Sequence, residues 1–413
     1  MPRKLRDSHC AMESNSMSRN LTAAREAKKD EFYTQYVDIQ KEVEAYLEFD
    51  AETFRGKVVY CNCDDPFESN FFKYFAASFN KLGLKKLIST SYDGSPIAGA
   101  QLTFHEYDEG NGKRQRPKAI ALEIEEVKDV DGDGASGVED VKLFLKKNPH
   151  TRTPLAEGGD FRSAECVKLL KQADVVVTNP PFSLFREYLA QLVEHEKKFL
   201  IIGNVQALTY KEIFPLVKSD KLWMGVTIHS GDREFRVPDH YPLDAAGWRV
   251  DEKGVKYIRV KGVRWYTNLD HGRRHQDLPL MTMADNLKFS KHKELNGKTA
   301  YDRYENYNAI EVPFTDAIPS DYRGVMGVPI SFLDKYNPDQ FEIVGTLESS
   351  DPDNSYRTRW YTAQDQKDAF LRRFGKPGTI PLNMSGVIND VKVFKRILIR
   401  HRRGVARARG REK

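Results

Sequence analysis

Asn179-Pro180-Pro181-Phe182 constrains the fold more than any other stretch of this chain. It follows the apolar run Val175-Val176-Val177, which reads as a buried strand of a parallel sheet. Two consecutive prolines can neither continue a hydrogen-bonded ladder nor enter a helix interior, so the strand must stop there in stiff, extended backbone. The loop therefore sits at the carboxyl end of a strand, where open α/β sheets place ligands. It presents the amide of Asn179, the carbonyl of Pro180 and the aromatic face of Phe182. These groups suit a planar ring bearing an exocyclic amine: two oxygens each accept one N–H, and the phenyl ring stacks.

The surrounding pattern alternates helix and strand. Residues 35–49 place Tyr36, Ile39, Val43, Tyr46 and Leu47 at helical spacing. A strand over 57–63 follows, then a helix over 68–82 with Phe71, Phe72, Phe75 and Phe79 on one face, then a strand over 87–90. That order is a β-α-β unit with a right-handed crossover. Residues 98–150 interrupt it, with 101–107 and 118–127 reading as a hairpin. The rhythm resumes as helix 165–172, strand 174–178, helix 185–195 and strand 199–203. Beyond about 225 the chain turns β-rich and irregular, with strands expected at 255–260, 263–267, 310–314 and 341–347. The fold class is α/β: a Rossmann-like, mostly parallel sheet followed by a β-rich C-terminal region. The expected division is a flexible leader over 1–28, a catalytic domain over 29–270, a C-terminal region over 271–400 and a basic tail over 401–413.

Composition excludes several classes. With 40% hydrophobic and 30% charged residues in 413, the chain is an ordinary globular protein able to bury a large core. No apolar run is long enough to span a bilayer and there is no signal peptide, so a cytoplasmic location is the expectation. The four cysteines form no C-x-x-C pair, and the ten histidines form no metal-ligating cluster. Cys61 and Cys63 fall on one face of the expected strand. Asp129, Asp131, Asp133 and Gly134 imitate half of a calcium loop, but its twelfth position is Asp140 and a strand precedes it, so no metal is assigned. The net charge of +5 is unevenly placed: ten Lys and Arg stand between 392 and 413 against one Glu. Such a run suits a polyanion, and equally a solvated tail.

Three further constellations precede the loop. Asp64-Asp65-Pro66-Phe67 ends the first strand, where a carboxylate can meet a nucleoside in the crevice; the same residues suit a helix N-terminus. Gly158-Gly159-Asp160-Phe161 lies before Asn179, joined to it by one helix and one strand. Its Asp can bond an adenine amine and its Phe cover the ring, or the glycines can simply close a turn. Phe32-Tyr33-Thr34 can open a helix whose N-terminus binds a carboxylate, or Thr34 can be a plain cap.

The order of these four segments resembles that of the amino-methyltransferases. Cys61-Asn62-Cys63-Asp64-Asp65-Pro66, Gly159-Asp160-Phe161-Arg162-Ser163 and Thr178-Asn179-Pro180-Pro181-Phe182-Ser183-Leu184-Phe185-Arg186 are similar to the EcoRI-type adenine-specific DNA methyltransferase family. So are Arg264 to Leu269, Gly327 to Tyr336 and Val393 to Arg400, so the resemblance runs from about 30 to 400. One departure is Glu68-Ser69-Asn70, which stands where many methyltransferases carry glycines.

The resemblance implies S-adenosyl-L-methionine as methyl donor and adenine N6 in double-stranded DNA as acceptor. Phe32, Tyr33, Thr34, Asp64, Asp65, Pro66, Phe67, Asp160 and Phe161 are then the cofactor candidates, and Asn179, Pro180, Pro181 and Phe182 the catalytic ones. A base inside a duplex must be extruded, so phosphates need cations. The candidates are Arg264, Arg273, Arg274, Lys395, Arg396, Arg400 and Arg402, each equally readable as a surface charge. The C-terminal region becomes a target-recognition region, and the enzyme either belongs to a restriction–modification system, with a cognate restriction endonuclease acting separately on the same site, or is solitary or phage-borne. Two alternatives remain: an amino-methyltransferase acting on ribosomal RNA guanine or a protein glutamine, and a DNA-binding protein with a degenerate cofactor pocket.

Overall fold

The computed structural model describes residues 33–63, 69–92, 119–128, 152–229, 231–237, 247–348 and 355–402. The chain divides into two compact units, one of residues 1–208 and 224–271, the other of residues 209–223 and 272–413.

The first unit is built on one large sheet. Its strands are β1 (Val58–Cys61), β2 (Lys86–Thr90), β3 (Ile120–Ile124), β4 (Arg152–Pro154), β5 (Val175–Thr178), β6 (Lys198–Asn204), β7 (Trp223–Met224) and, after a separate small sheet, β11 (Val263–Thr267). Their order across the sheet is β4-β3-β2-β1-β5-β6-β11-β7. The four central strands β2, β1, β5 and β6 are parallel, while β3, β4 and β11 pair antiparallel. The parallel core demands crossovers, and helices supply them: α2 (Asn70–Ala77) and α3 (Phe79–Leu82) between β1 and β2, α4 (Ala164–Gln172) before β5, and α5 (Phe185–Glu194) between β5 and β6. A further helix, α1 (Tyr36–Phe49), precedes β1.

Burial explains why these segments adopt these forms. The strands β1 and β5 are buried at every position, as near-continuous apolar runs in a covered parallel sheet must be. Val59, Val175, Val177, Leu200 and Ile202 share one core with Phe71, Phe72, Phe75 and Phe79, and with Ile39, Val43 and Tyr46 of α1. Each buried ring or branched side chain contributes roughly 1.5–3 kcal/mol relative to exposure. Glu42 is fully buried on α1, and its carboxylate accepts from the Val226 and Thr227 N–H groups at 2.7 and 2.8 Å. Burial raises its pKa, and those donors oppose the rise.

The small sheet of the first unit has the order β8-β10-β9, with β8 (Asp232–Val237), β9 (Arg249–Val250) and β10 (Lys256–Lys261) antiparallel. Its Phe235, Val237 and Ile258 enter the same core. The second unit holds a four-stranded sheet, β12-β13-β17-β14, from β12 (Ile310–Glu311), β13 (Met326–Pro329), β14 (Phe341–Thr346) and β17 (Arg396–His401). It also holds a hairpin of β15 (Val387–Ile388) and β16 (Val391–Lys392), and helices α6 (Phe214–Lys218), α7 (Met283–Phe289) and α8 (Ala363–Phe374). Among the described residues no helix is long and apolar enough to cross a membrane.

The expected α/β architecture is present, with three local corrections. Strand β3 pairs with β2 and β4 over Ala121–Leu122, so the expected hairpin with 101–107 is not its pairing there; residues 101–107 and the calcium-like loop at 129–134 lie outside the described residues. Cys63 is not on β1: it follows the strand in a turn at φ 61°, a left-handed conformation. The segment after 270 also carries helices that were not anticipated. The clearest is α8, with a Thr362–Asp365 capping box at its start and Gly375 at φ 66° at its end.

Candidate active site

The topology selects one place on the sheet. Strand β1 has β2 on one side and β5 on the other, reached by connections running in opposite directions. That is a topological switch point, and its carboxyl edge forms a crevice. Three of the four constellations converge there.

The first is the loop after β5. Thr178 ends the strand fully buried, and Asn179, Pro181 and Phe182 are half-buried while Pro180 is buried. Pro181 holds φ −54° and ψ 125°, extended as expected, and a turn closes as the Leu184 N–H donates to the Pro181 carbonyl at 3.0 Å. Helix α5 begins at once with Phe185, whose ring packs over Gly203 of β6; a Cβ on Gly203 would lie 2.5 Å from that ring. The glycine lets the helix start close to the sheet and so fixes where the loop ends. Phe182 packs on the core through part of its surface and leaves the rest accessible.

The second constellation is Gly158-Gly159-Asp160-Phe161. Both glycines have left-handed φ, 69° and 72°. A Cβ on Gly159 would lie 1.9 Å from the Ser91 carbonyl, just past the end of β2, so only glycine permits this approach. Asp160 is thereby carried to the carboxyl edge beside β2. Its carboxylate is held by Arg162: Nη2 donates at 2.7 Å, Nε at 2.9 Å and the backbone N–H at 2.9 Å. These hydrogen bonds keep the Asp160 carboxyl below the ordinary carboxylate range. Arg162 also reaches Glu187 at 3.0 Å. Phe161 is buried edge-on against Tyr188 at 5.1 Å.

The third is Tyr33-Thr34. Tyr33 is pinned to β8 by paired backbone hydrogen bonds with Arg236 at 3.0 and 3.3 Å. Thr34 is not the helix cap: α1 starts at Tyr36, and its N-cap is Gln35. The Thr34 carbonyl instead accepts from the Asn70 side chain at 2.7 Å, tying this segment to the start of α2. Its hydroxyl is buried with no hydrogen-bond partner among the described residues. Ser69 caps α2 through the Phe71 and Phe72 N–H groups. Phe32, Asp64, Asp65, Pro66 and Phe67 lie outside the described residues.

Between these segments runs a buried polar network that the motif reading missed. The Thr90 hydroxyl donates to Asn62 Oδ1 at 2.9 Å, and the Tyr60 and Thr90 hydroxyls meet at 3.1 Å. The Thr178 hydroxyl donates to the Asn62 carbonyl. Strands β2 and β5 thus end in a polar residue and β1 is followed by one, each bonded across to a neighbour. That recurrence was the available signal: Asn62, Thr90 and Thr178 each close an apolar run. Among the described residues no group of three His, Cys, Asp or Glu is placed to hold a metal ion.

The phosphate candidates fare differently. Arg264 is buried, donating to the Val263 carbonyl at 2.8 Å and to the His229 carbonyl, so it braces β11 from inside. Arg274 is buried over Trp223 at 3.6 Å and pairs with Asp220 at 2.7 Å. Arg396 pairs with Glu311 at 2.6 Å, both side chains nearly enclosed, and Tyr304 donates to the same carboxylate. Arg400 pairs with Glu342, Lys395 with Glu348, and Arg402 donates to the Pro338 carbonyl. Arg273 is half-buried.

Comparison with known proteins decides the family. The model of a family described as adenine-specific methyltransferase EcoRI matches residues 20–402. The chain belongs to this family. It is 44% identical over 339 residues to "Type II methyltransferase M.EcoRI" of Escherichia coli, covering 81% of this chain and 90% of that one. It is 35% identical over 333 residues to "Type II methyltransferase M.MpnI" of Mycoplasma pneumoniae, covering 78% and 84%, respectively. A third relative, "Type II methyltransferase M.MgeORF184P" of Mycoplasma genitalium, is 35% identical over 326 residues. No solved structure matches. The expectation of an adenine-specific methyltransferase is met, and nothing favours acceptors in ribosomal RNA or a protein amide.

Proposed function

We propose that this adenine-specific methyltransferase acts at a defined site in duplex DNA, on the N6 amine of an extruded adenine, with S-adenosyl-L-methionine as donor. The observation that carries this reading is the exit of Asn179-Pro180-Pro181-Phe182 from β5 at the switch point of the sheet. The donor's fit rests on Thr34, whose buried hydroxyl has no partner among the described residues and whose carbonyl is tied to the start of α2. Thr34 with Tyr33 and Phe32 would hold the amino-acid end, Asp64 to Phe67 the ribose side, and Asp160 and Phe161 the adenine. When bound, the cofactor supplies an electrophilic methyl on a sulfonium.

The chain's own groups prepare the nucleophile. An aromatic amine reacts poorly because its lone pair is delocalised into the ring. Asn179 Oδ1 and the Pro180 carbonyl each accept one amine hydrogen, drawing both out of the ring plane and localising the lone pair. As positive charge grows on nitrogen, the same two oxygens stabilise it without reorganising, since prolines fix one and the β5–β1 tie steadies the other. Phe182 stacks on the extruded ring and offsets part of the few kcal/mol that extrusion costs. Pro181 stiffens the loop. Methyl transfer is assigned to residues 29–270 and target reading to 271–400, with 401–413 as a basic tail on the phosphates. Incubating enzyme, methyl-labelled donor and duplex DNA, then digesting to nucleosides, tests the reading: label in 6-methyladenine is expected, and its absence would defeat it.

A further inference from the structure

We infer that the second unit carries a duplex-contacting strip made of Trp360, Met384 and Phe394, a deepening that rests on the DNA reading above. These side chains are 60%, 54% and 72% exposed. Single exposed hydrophobics are ordinary; three large ones on adjoining segments of one unit are not. The segments do adjoin. Asn383 clasps Tyr361 from both sides, accepting its N–H at 2.9 Å and donating to its carbonyl at 2.8 Å. On the other flank the Ser385 hydroxyl donates to the Phe394 carbonyl at 3.3 Å, and the Val393 N–H to the Gly386 carbonyl at 2.9 Å.

Cations frame the strip. Arg357 lies over the Tyr307 ring at 5.0 Å and the Trp360 ring at 4.8 Å. Arg359 lies over Tyr361 at 4.4 Å and pairs with Asp365 at 3.0 Å. Lys395, next to Phe394, pairs with Glu348 at 2.6 Å. The Arg359–Asp365 pair, with side chains 48% and 34% exposed, is worth little in water and can exchange for a phosphate. The charge of the whole unit selects the occupant. Residues 209–223 and 272–413 hold 28 Lys and Arg against 20 Asp and Glu, whereas the first unit holds 37 against 40. A second copy of the strip would set like charges against each other. Duplex DNA offers anions along its edge and apolar base surfaces at steps that can be partly unstacked. Apolar and aromatic side chains are the groups proteins place at unstacked base steps.

The test uses the full-length enzyme with sheared, unmethylated genomic duplex as probe. The side chains are exposed, so Trp360→Ala and Phe394→Ala leave the fold intact. Trp360→Ala is expected to weaken duplex binding about tenfold, the size of one lost base–aromatic stack, with Trp360→Phe retaining most of it. KM for DNA rises while donor binding by calorimetry is unchanged. The part of the tryptophan emission that Trp360→Phe removes is quenched by duplex in the wild type. Unaltered binding and methylation in both alanine variants overturns the strip. So does a Trp360→Ala protein that sediments as a smaller species than wild type, which would assign the strip to self-association. In either case continued wild-type formation of 6-methyladenine leaves the DNA reading standing; if wild type forms none, the DNA reading itself has failed and the strip falls with it.

Discussion

The two units use their polar residues in opposite ways. In the first, the sheet topology delivers side chains to a single edge, and Asn62, Thr90, Asp160, Thr178 and Asn179 gather there because β2, β1 and β5 are neighbours. In the second, the charged residues mostly hold the unit together. Arg396, Glu311 and Tyr304 form an enclosed cluster joining β12 and β17, and Arg274 is wedged between Trp223 and Asp220. The contrast shows what each kind of signal is worth. A motif tied to a strand end inherits its position from the backbone. A cation counted along the sequence has no position until its partner is known.

The largest effect should come from the first unit's loop. Asn179→Ala removes one of two acceptors aimed at charge that develops only during transfer, so kcat should fall about a thousandfold, near 4 kcal/mol. Donor affinity should hold within about twofold by calorimetry, as binding groups elsewhere are intact. Undiminished turnover would erase the distinction drawn for this edge.

The next tests the second unit. Arg396→Met strands the enclosed Glu311 carboxylate and should cost about 3 kcal/mol of folding stability by denaturant titration. Arg400→Met breaks a pair whose side chains are 44% and 38% exposed and should cost under about 1 kcal/mol. Equal losses would show that enclosure does not separate structural cations from surface ones here.

The sequence was most legible where backbone chemistry decides. Two prolines after Val175–Val177 dictated a strand end, and the strand order made that end a crevice. Gly158 and Gly159 were read as a turn, but the Ser91 carbonyl that makes Gly159 obligatory is remote in sequence. Thr34 looked like a cap because Thr before a helical pattern usually is one; the helix instead starts at Tyr36 and leaves the hydroxyl for another use. Helix α8 carried its signals, Thr362 with Asp365 and then Gly375, but its mean character is polar and only Ala369 is buried, so no apolar period announced it. Arg264 and Arg274 were misjudged as surface cations since a guanidinium over indole, or among backbone carbonyls, leaves no local trace.

A smaller effect should follow from the tie beneath the loop. Thr178→Val keeps shape but removes the hydroxyl that donates to the Asn62 carbonyl. Stability should drop by about 1–3 kcal/mol because a buried acceptor loses its donor. If the tie also aims Asn179, kcat should fall about tenfold with KM for the donor unchanged, and Thr178→Ser should restore it. A stability loss with kcat intact would make Thr178 a purely structural residue and leave the loop's rigidity to its prolines.

The smallest effect concerns Asp160, where the two behaviours meet in one residue. Its carboxylate is paired with Arg162, like the second unit's cations, yet stands at the first unit's edge, where a ligand amine would compete for it. The lowered pKa fixes the sign: a carboxyl that ionises more readily when folded stabilises the protein above its unfolded pKa, and that contribution is lost as pH falls through the folded value. The Asp160 side chain is 33% exposed and that of Arg162 52%, so Asp160→Asn should cost under about 1 kcal/mol at neutral pH. The difference from wild type should vanish once acid has protonated the wild-type carboxyl. If Asp160 also accepts from the donor's adenine amine, the same variant weakens donor binding about fivefold at neutral pH, the worth of one hydrogen bond. Unchanged donor affinity in Asp160→Asn would place this residue with the pairs that only brace the fold.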